Sequence, residues 1–175
     1  AAARALGRGL HAKPPLDDAA PGAPRVLPTH KHPYLETRTD DRFVLRMPEA
    51  FPVPTPTAHR GHILVGTGLW YGAVDHWGDV VWGRKPVDLN PSSAACEGEL
   101  CAFNTFSCTV IVAEADTGDT RAVTWLGPTV LSAPAVADGT VYVMSGGGQE
   151  DVDQVGSIYA LNPDGTEAWR AQLSG

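Results

Sequence analysis

With 175 residues, 19 Gly and 15 Pro, the chain is long enough for a domain-sized core but is punctuated too often for long helices. Its 43% hydrophobic content excludes a disordered chain, and 13 basic against 20 acidic residues, a net charge of -7, argue against nucleic acid as a main partner. No apolar run reaches the roughly 20 residues of a membrane-spanning helix.

Residues 1–33 are rich in Ala, Pro, Arg and His and carry no period of two or 3.6, which predicts an extended arm. The opening AAARALGRGLHAKPP has no continuous apolar stretch before a cleavage site, so it does not read as a signal peptide. The expectation is a chain whose leader has been removed or lies upstream. From Tyr34 onward the texture changes to short apolar runs between Asp, Gly, Pro and Thr. HILVG (62–66), TVIVAEA (109–115), TVYVMS (140–145) and SIYALN (157–162) are predicted strands, and ADTGD and NPDGT are predicted tight turns. The reading is an all-β chain of hairpins.

Internal similarity sharpens that reading. Pro56 matches Pro134 and Gly61 matches Gly139, both 78 positions on, while TVIVAEADTG matches GSIYALNPDG at a spacing of 47. One repeat of 47 residues, split in its first copy by a 31-residue insertion, accounts for both spacings. The insertion then falls at about 67–107, a segment holding Trp70, Tyr71, Trp77, Trp82, Phe103, Phe106 and the cysteines of CEGELC. A weaker match pairs ETRTDDRFVLRM with EADTGDTRAVTW, setting Glu36 on Glu114 and Asp41 on Asp119. Four short strands in a repeat of this length have the size of a β-propeller blade.

SAPAVADGTVYVMS followed by GSIYALNPDGTEAWRAQLSG resembles the PQQ-like, quinoprotein-type propeller repeat. The residues that carry the resemblance are Pro134, Asp138, Gly139, Tyr142, Gly156, Tyr159, Ala160, Leu161, Gly165 and Trp169, with Pro56, Gly61, Ala113, Gly118 and a displaced Trp125 in the earlier copy. The resemblance implies blades of four-stranded antiparallel sheet over 34–175, two to three of them, in a family whose rings hold more. The chain is therefore expected to be a segment of a propeller, completed by a longer chain or by another one. Trp125 and Trp169 are expected to dock blade on blade.

The candidate chemistry is sparse. A quinoprotein dehydrogenase would add a calcium ion, a Trp beneath the quinone, a catalytic Asp and a ring of adjacent cysteines. Cys96 and Cys101 are not adjacent, and no carboxylate stands out as a base. PQQ is thus expected only if this chain is part of such an enzyme. The CEGELC spacing fits a small disulfide loop, with reduced thiols or a metal pair as the alternatives, although no second pair completes a zinc site. Glu150, Asp151 and Asp153 stand in a glycine-rich loop and form a calcium candidate set against a solvated acidic loop. Trp70, Tyr71, Trp77 and Trp82 form the candidate surface for a protein partner or a glycan, set against a local aromatic core. The function expected is a non-catalytic, exported binding or assembly module, periplasmic or extracellular. A dehydrogenase part and a glycan-binding propeller are the alternatives.

Overall fold

In the computed structural model the described residues are 34–40, 42–46, 54–67, 70–86, 92–106, 108–127, 132–146 and 156–173. They form fourteen strands and no helix. The predicted arm at 1–33 and the acidic loop at 150–153 lie outside them.

The strands fall into one hairpin and three four-stranded antiparallel sheets, each wound in simple chain order. The hairpin pairs β1 (Tyr34–Arg38) with β2 (Phe43–Arg46). The first sheet contains β3 (Thr57–His59), β4 (His62–Thr67), β5 (Trp70–Asp75) and β6 (Val80–Arg84). The second contains β7 (Ala95–Glu97), β8 (Leu100–Asn104), β9 (Thr109–Glu114) and β10 (Thr120–Trp125). The third contains β11 (Ala135–Ala137), β12 (Thr140–Ser145), β13 (Ser157–Leu161) and β14 (Glu167–Gln172). All four predicted strands are present, as β4, β9, β12 and β13. The turns Arg60-Gly61 and Asp138-Gly139 place both central residues at positive φ, the backbone that a two-residue hairpin turn needs.

The 67–107 segment is not an insertion. It supplies β5 and β6 to the first blade and β7 and β8 to the second. The spacing of 78 spans two blades, because Pro56 precedes the first blade and Pro134 the third; the spacing of 47 spans one, from β9 to β13. The missing repeat was hidden for a physical reason. Strands β5, β8 and β9 are buried on both faces, so they lack the apolar–polar alternation that marks a half-exposed strand.

The core sits between sheets. Leu64, Tyr71, Ala73 and Trp82 of the first blade meet Cys101, Phe103, Ile111 and Ala115 of the second. On the second blade's other face, Leu100, Ala102, Val110 and Val112 meet Val141, Val143, Tyr159 and Leu161 of the third. Alternate residues of β8 thus serve opposite interfaces, as the period of two requires. A twisted sheet of four short strands buries little by itself, and stacking supplies its stability.

Candidate functional site

The molecule's recurring device is a side chain from one sheet seated over the β-turn glycine of the next. Between the first and second blades the side chain is Trp82. Its indole Nε1 donates to the Ala115 carbonyl at 2.9 Å, and its ring lies where a Cβ on Gly118 would have to go. Gly118 has φ +69°, so both backbone conformation and space demand glycine there. Arg84, on the same strand, pairs with Asp119 at 2.8 Å and donates to the Thr117 carbonyl at 3.0 Å. Hydrogen bonds from Thr117 and then Arg84 hold the Asp119 carboxyl below its usual value. Burial pushes the Tyr71 hydroxyl upward, against a smaller opposing effect of Thr120 and Arg84.

The same seat is filled differently elsewhere. The Phe43 ring covers Gly78 of the first blade, while Ala122 and Thr124 cover Gly165 of the third. Thr124 Oγ1 also donates to the Gly165 carbonyl at 2.8 Å. Counted from the turn glycine, Trp82, Ala122 and Trp169 occupy one position. Trp125, expected to dock a blade, lies three residues further on and is 65% exposed; its place is taken by Ala122. A small side chain with a neighbouring hydroxyl replaces the indole there.

The third blade carries the seat's side chain, and among the described residues nothing lies over it. Tyr142, Ala160 and Trp169 are cross-strand partners, in the arrangement of Leu64, Ala73 and Trp82 on the first blade. Trp169 and Met144 are each 47% exposed, and the Tyr142 and Trp169 rings stand 6.1 Å apart. This face is the covered face of the first blade repeated without its cover.

No protein-family model matches this chain, and no curated protein does. Solved structures do. BamB from Moraxella catarrhalis aligns at 20% identity over 68% of this chain and 35% of that one, with a TM-score of 0.54. Quinohemoprotein alcohol dehydrogenase from Comamonas testosteroni aligns at 22% identity over 68% of this chain and 20% of its own, with a TM-score of 0.56. The fold is that of the PQQ-like β-propellers. The computationally designed Ika8 protein aligns as well, at 11% identity over 68% of this chain and 36% of its own, with a TM-score of 0.57. At such identities the likeness to PQQ-like propellers is one of fold alone. This chain spans about a third of the length of BamB and about a fifth of that of the dehydrogenase.

The predicted site residues divide sharply on this PQQ-like frame. Trp70, Tyr71 and Trp82 are 3%, 2% and 6% exposed, so they are interior residues and unavailable to a partner or glycan. Trp77 alone of the four is half-exposed, in the β5–β6 turn beside His76. Cys96 and Cys101 form a disulfide that staples the cross-strand pair of β7 and β8, which decides among the three readings of CEGELC. Cys108 is buried and takes no part in that bridge. Glu150, Asp151 and Asp153 lie outside the described residues, among which no cluster suited to a metal ion occurs. Two features escaped sequence reasoning: Phe43 as a docking residue and Arg38 as the ion-pair partner of Asp79 at 2.7 Å. The weak match of ETRTDDRFVLRM to a blade's last hairpin was the signal for both.

Proposed function

We propose that this chain is part of an exported PQQ-like propeller that works by binding and assembly rather than by catalysis, and that its Trp169 face receives a further blade. The observation that carries the proposal is the identity of arrangement between the covered first-blade face and the bare third-blade face. The occupant is a PQQ-like blade with a positive-φ glycine to lie over the indole and a backbone carbonyl to accept from its Nε1. In a second copy the glycines equivalent to that seat among the described residues, Gly78, Gly118 and Gly165, are already covered. The Cys96–Cys101 disulfide supports an oxidising compartment, periplasmic or extracellular.

A photo-crosslinking residue placed at 169 in the natural protein tests this. The expected product joins position 169 to a turn peptide containing glycine from a PQQ-like blade; no crosslink, or one to an unrelated sequence, overturns it. For the dehydrogenase alternative, adding PQQ and calcium to the natural protein is expected to change neither quinone absorbance nor melting temperature. A change in either favours the enzyme.

A further inference from the structure

The junction between the β1–β2 hairpin and the first blade holds a cleft. The cavity measures about 330 Å³ and is lined by Arg38, Thr39, Asp40, Arg42, Phe43, His76 and Trp77. Two substitutions in the turn help to make it. The residues before the turn glycine are Asp116-Thr117 in the second blade and Pro163-Asp164 in the third, but His76-Trp77 in the first. At the next junction Asp116 is held by Arg60 at 3.1 Å and the Thr117 carbonyl by Arg84. Here the two rings stand with centroids 4.3 Å apart, tilted by 46°.

The turn that presents them is fixed. Asp75 Oδ1 accepts from the backbone N–H groups of Trp77 at 2.8 Å and of Asp79 at 2.9 Å. Across the cleft, Thr39 and Arg42 close the β1–β2 turn through the Thr39 N–H and the Arg42 carbonyl at 2.7 Å. Arg38 lies between the two turns with its side chain 11% exposed. Its Nη2 touches Asp79 Oδ1 at 2.7 Å as an ion pair, but off the line of a hydrogen bond, and its buried Nε also lacks a hydrogen-bond partner. A buried guanidinium with unused donors is costly unless something accepts from it.

We propose that this cleft binds a single neutral pyranose residue of a glycan. An indole face takes the C–H face of a sugar ring, and planar polar side chains on either side take its vicinal hydroxyls. Arg38 and Arg42 donate and Asp40 accepts, while the Thr39 hydroxyl holds the Arg42 backbone, donating to its carbonyl at 3.3 Å and accepting from its N–H at 3.2 Å. The charges oppose a simple anion site. The arginines Arg38 and Arg42 are balanced by Asp40 and Asp79, so a carboxylate would gain little net field, whereas a polyhydroxylated ring uses donors and acceptors of both kinds. The volume lies near the lower end of ligand pockets, which suits one ring rather than an oligosaccharide.

The test is saturation-transfer NMR on the full chain with the methyl glycosides of glucose, galactose, mannose and N-acetylglucosamine, alongside methyl glucuronide and acetate. At least one neutral glycoside is expected to receive saturation on its C–H face. Trp77→Ala is expected to weaken binding about tenfold and Arg42→Ala severalfold, while Trp77→Phe keeps part of the affinity and Trp169→Ala changes nothing. Melting curves of each variant confirm that it is folded; should Trp77→Ala fail to fold, Arg42→Ala and Trp77→Phe carry the test. Saturation of no neutral glycoside overturns the proposal, whether or not glucuronide or acetate binds. So does neutral-sugar binding that is unchanged in the Trp77 and Arg42 variants. Loss of the Trp169 crosslink leaves this site standing, so the two proposals fail separately.

Discussion

The first–second and second–third blade interfaces do one job with different chemistry. The first is aromatic and charged: Tyr71, Trp82 and Phe103 pack edge-to-face or tilted, and Arg60–Asp116 and Arg84–Asp119 tie the rim. The second is aliphatic, with Val110, Val112, Val141, Val143 and Leu161 at its centre, and its rim is held by Thr124 on Gly165 and by Glu97 Oε2 accepting from the Gly139 N–H at 3.0 Å. What the two share is a turn glycine with a side chain over it, so the backbone geometry of docking is the constant and the side chain is the variable. A repeat can therefore lose its tryptophan and keep its blade.

The largest expected contrast comes from truncating the docking side chains. Trp82→Ala is expected to cost about 3–5 kcal/mol in denaturant unfolding, and Thr124→Val about 1 kcal/mol, from an unpaired Gly165 carbonyl. Trp169→Ala, on the bare face, is expected to stay within about 0.5 kcal/mol in this chain alone. Equal losses at Trp82 and Trp169 would show that the two faces are not equivalent in the way described. Next come the glycines. Gly118→Ala meets both the indole and a positive φ and is expected to cost about 2–4 kcal/mol, whereas Gly139→Ala, with open space around it, carries only the backbone strain of about 1 kcal/mol. Similar melting temperatures for the two would remove the seat from the account.

Reducing the Cys96–Cys101 bridge is expected to cost about 2 kcal/mol, since it closes a short loop. Both cysteines pack in the cluster between the first and second blades, so protection of backbone amides in β7 and β8 should fall before that in β12 and β13, by hydrogen exchange. The smallest effect separates the rims. The Asp119 carboxyl is lowered by Thr117 and Arg84, and that of Asp164 by Thr166 alone among side chains. Each therefore favours the folded state at pH above the unfolded carboxylate value of about 3.9, and that contribution is lost as pH falls through the lower folded value. Arg84→Gln is expected to raise the Asp119 titration midpoint in carboxyl NMR and leave that of Asp164 unmoved. Movement of both would mean that the rims are not independent.

Much of this was legible along the chain. The Asp138-Gly139 and NPDGT turns, the strands beginning at His62, Thr109, Thr140 and Ser157, and the PQQ-like pattern of the last repeat all follow from local backbone preference and alternation, which need no neighbours. The candidate site was less legible. Trp70, Tyr71 and Trp82 resemble a binding surface in sequence, because an aromatic residue carries no mark of whether another sheet will cover it. Trp77 stands among Asp75, His76, Gly78 and Asp79, in a turn rather than on a strand face, and is left half-open. Arg38 and Trp77 are 39 positions apart, too far for any local pattern to join them, and only the docking of the hairpin on the first blade makes them walls of one cleft.

The sequence by itself determined the all-β class, the turn chemistry and the repeat, since these rest on interactions between residues near in the chain. Where one blade ends and the next begins, which aromatics are core and which face remains bare were decided by stacking. Burial on both faces erases alternation from the middle strands, and a seat over a glycine is defined by two sheets at once.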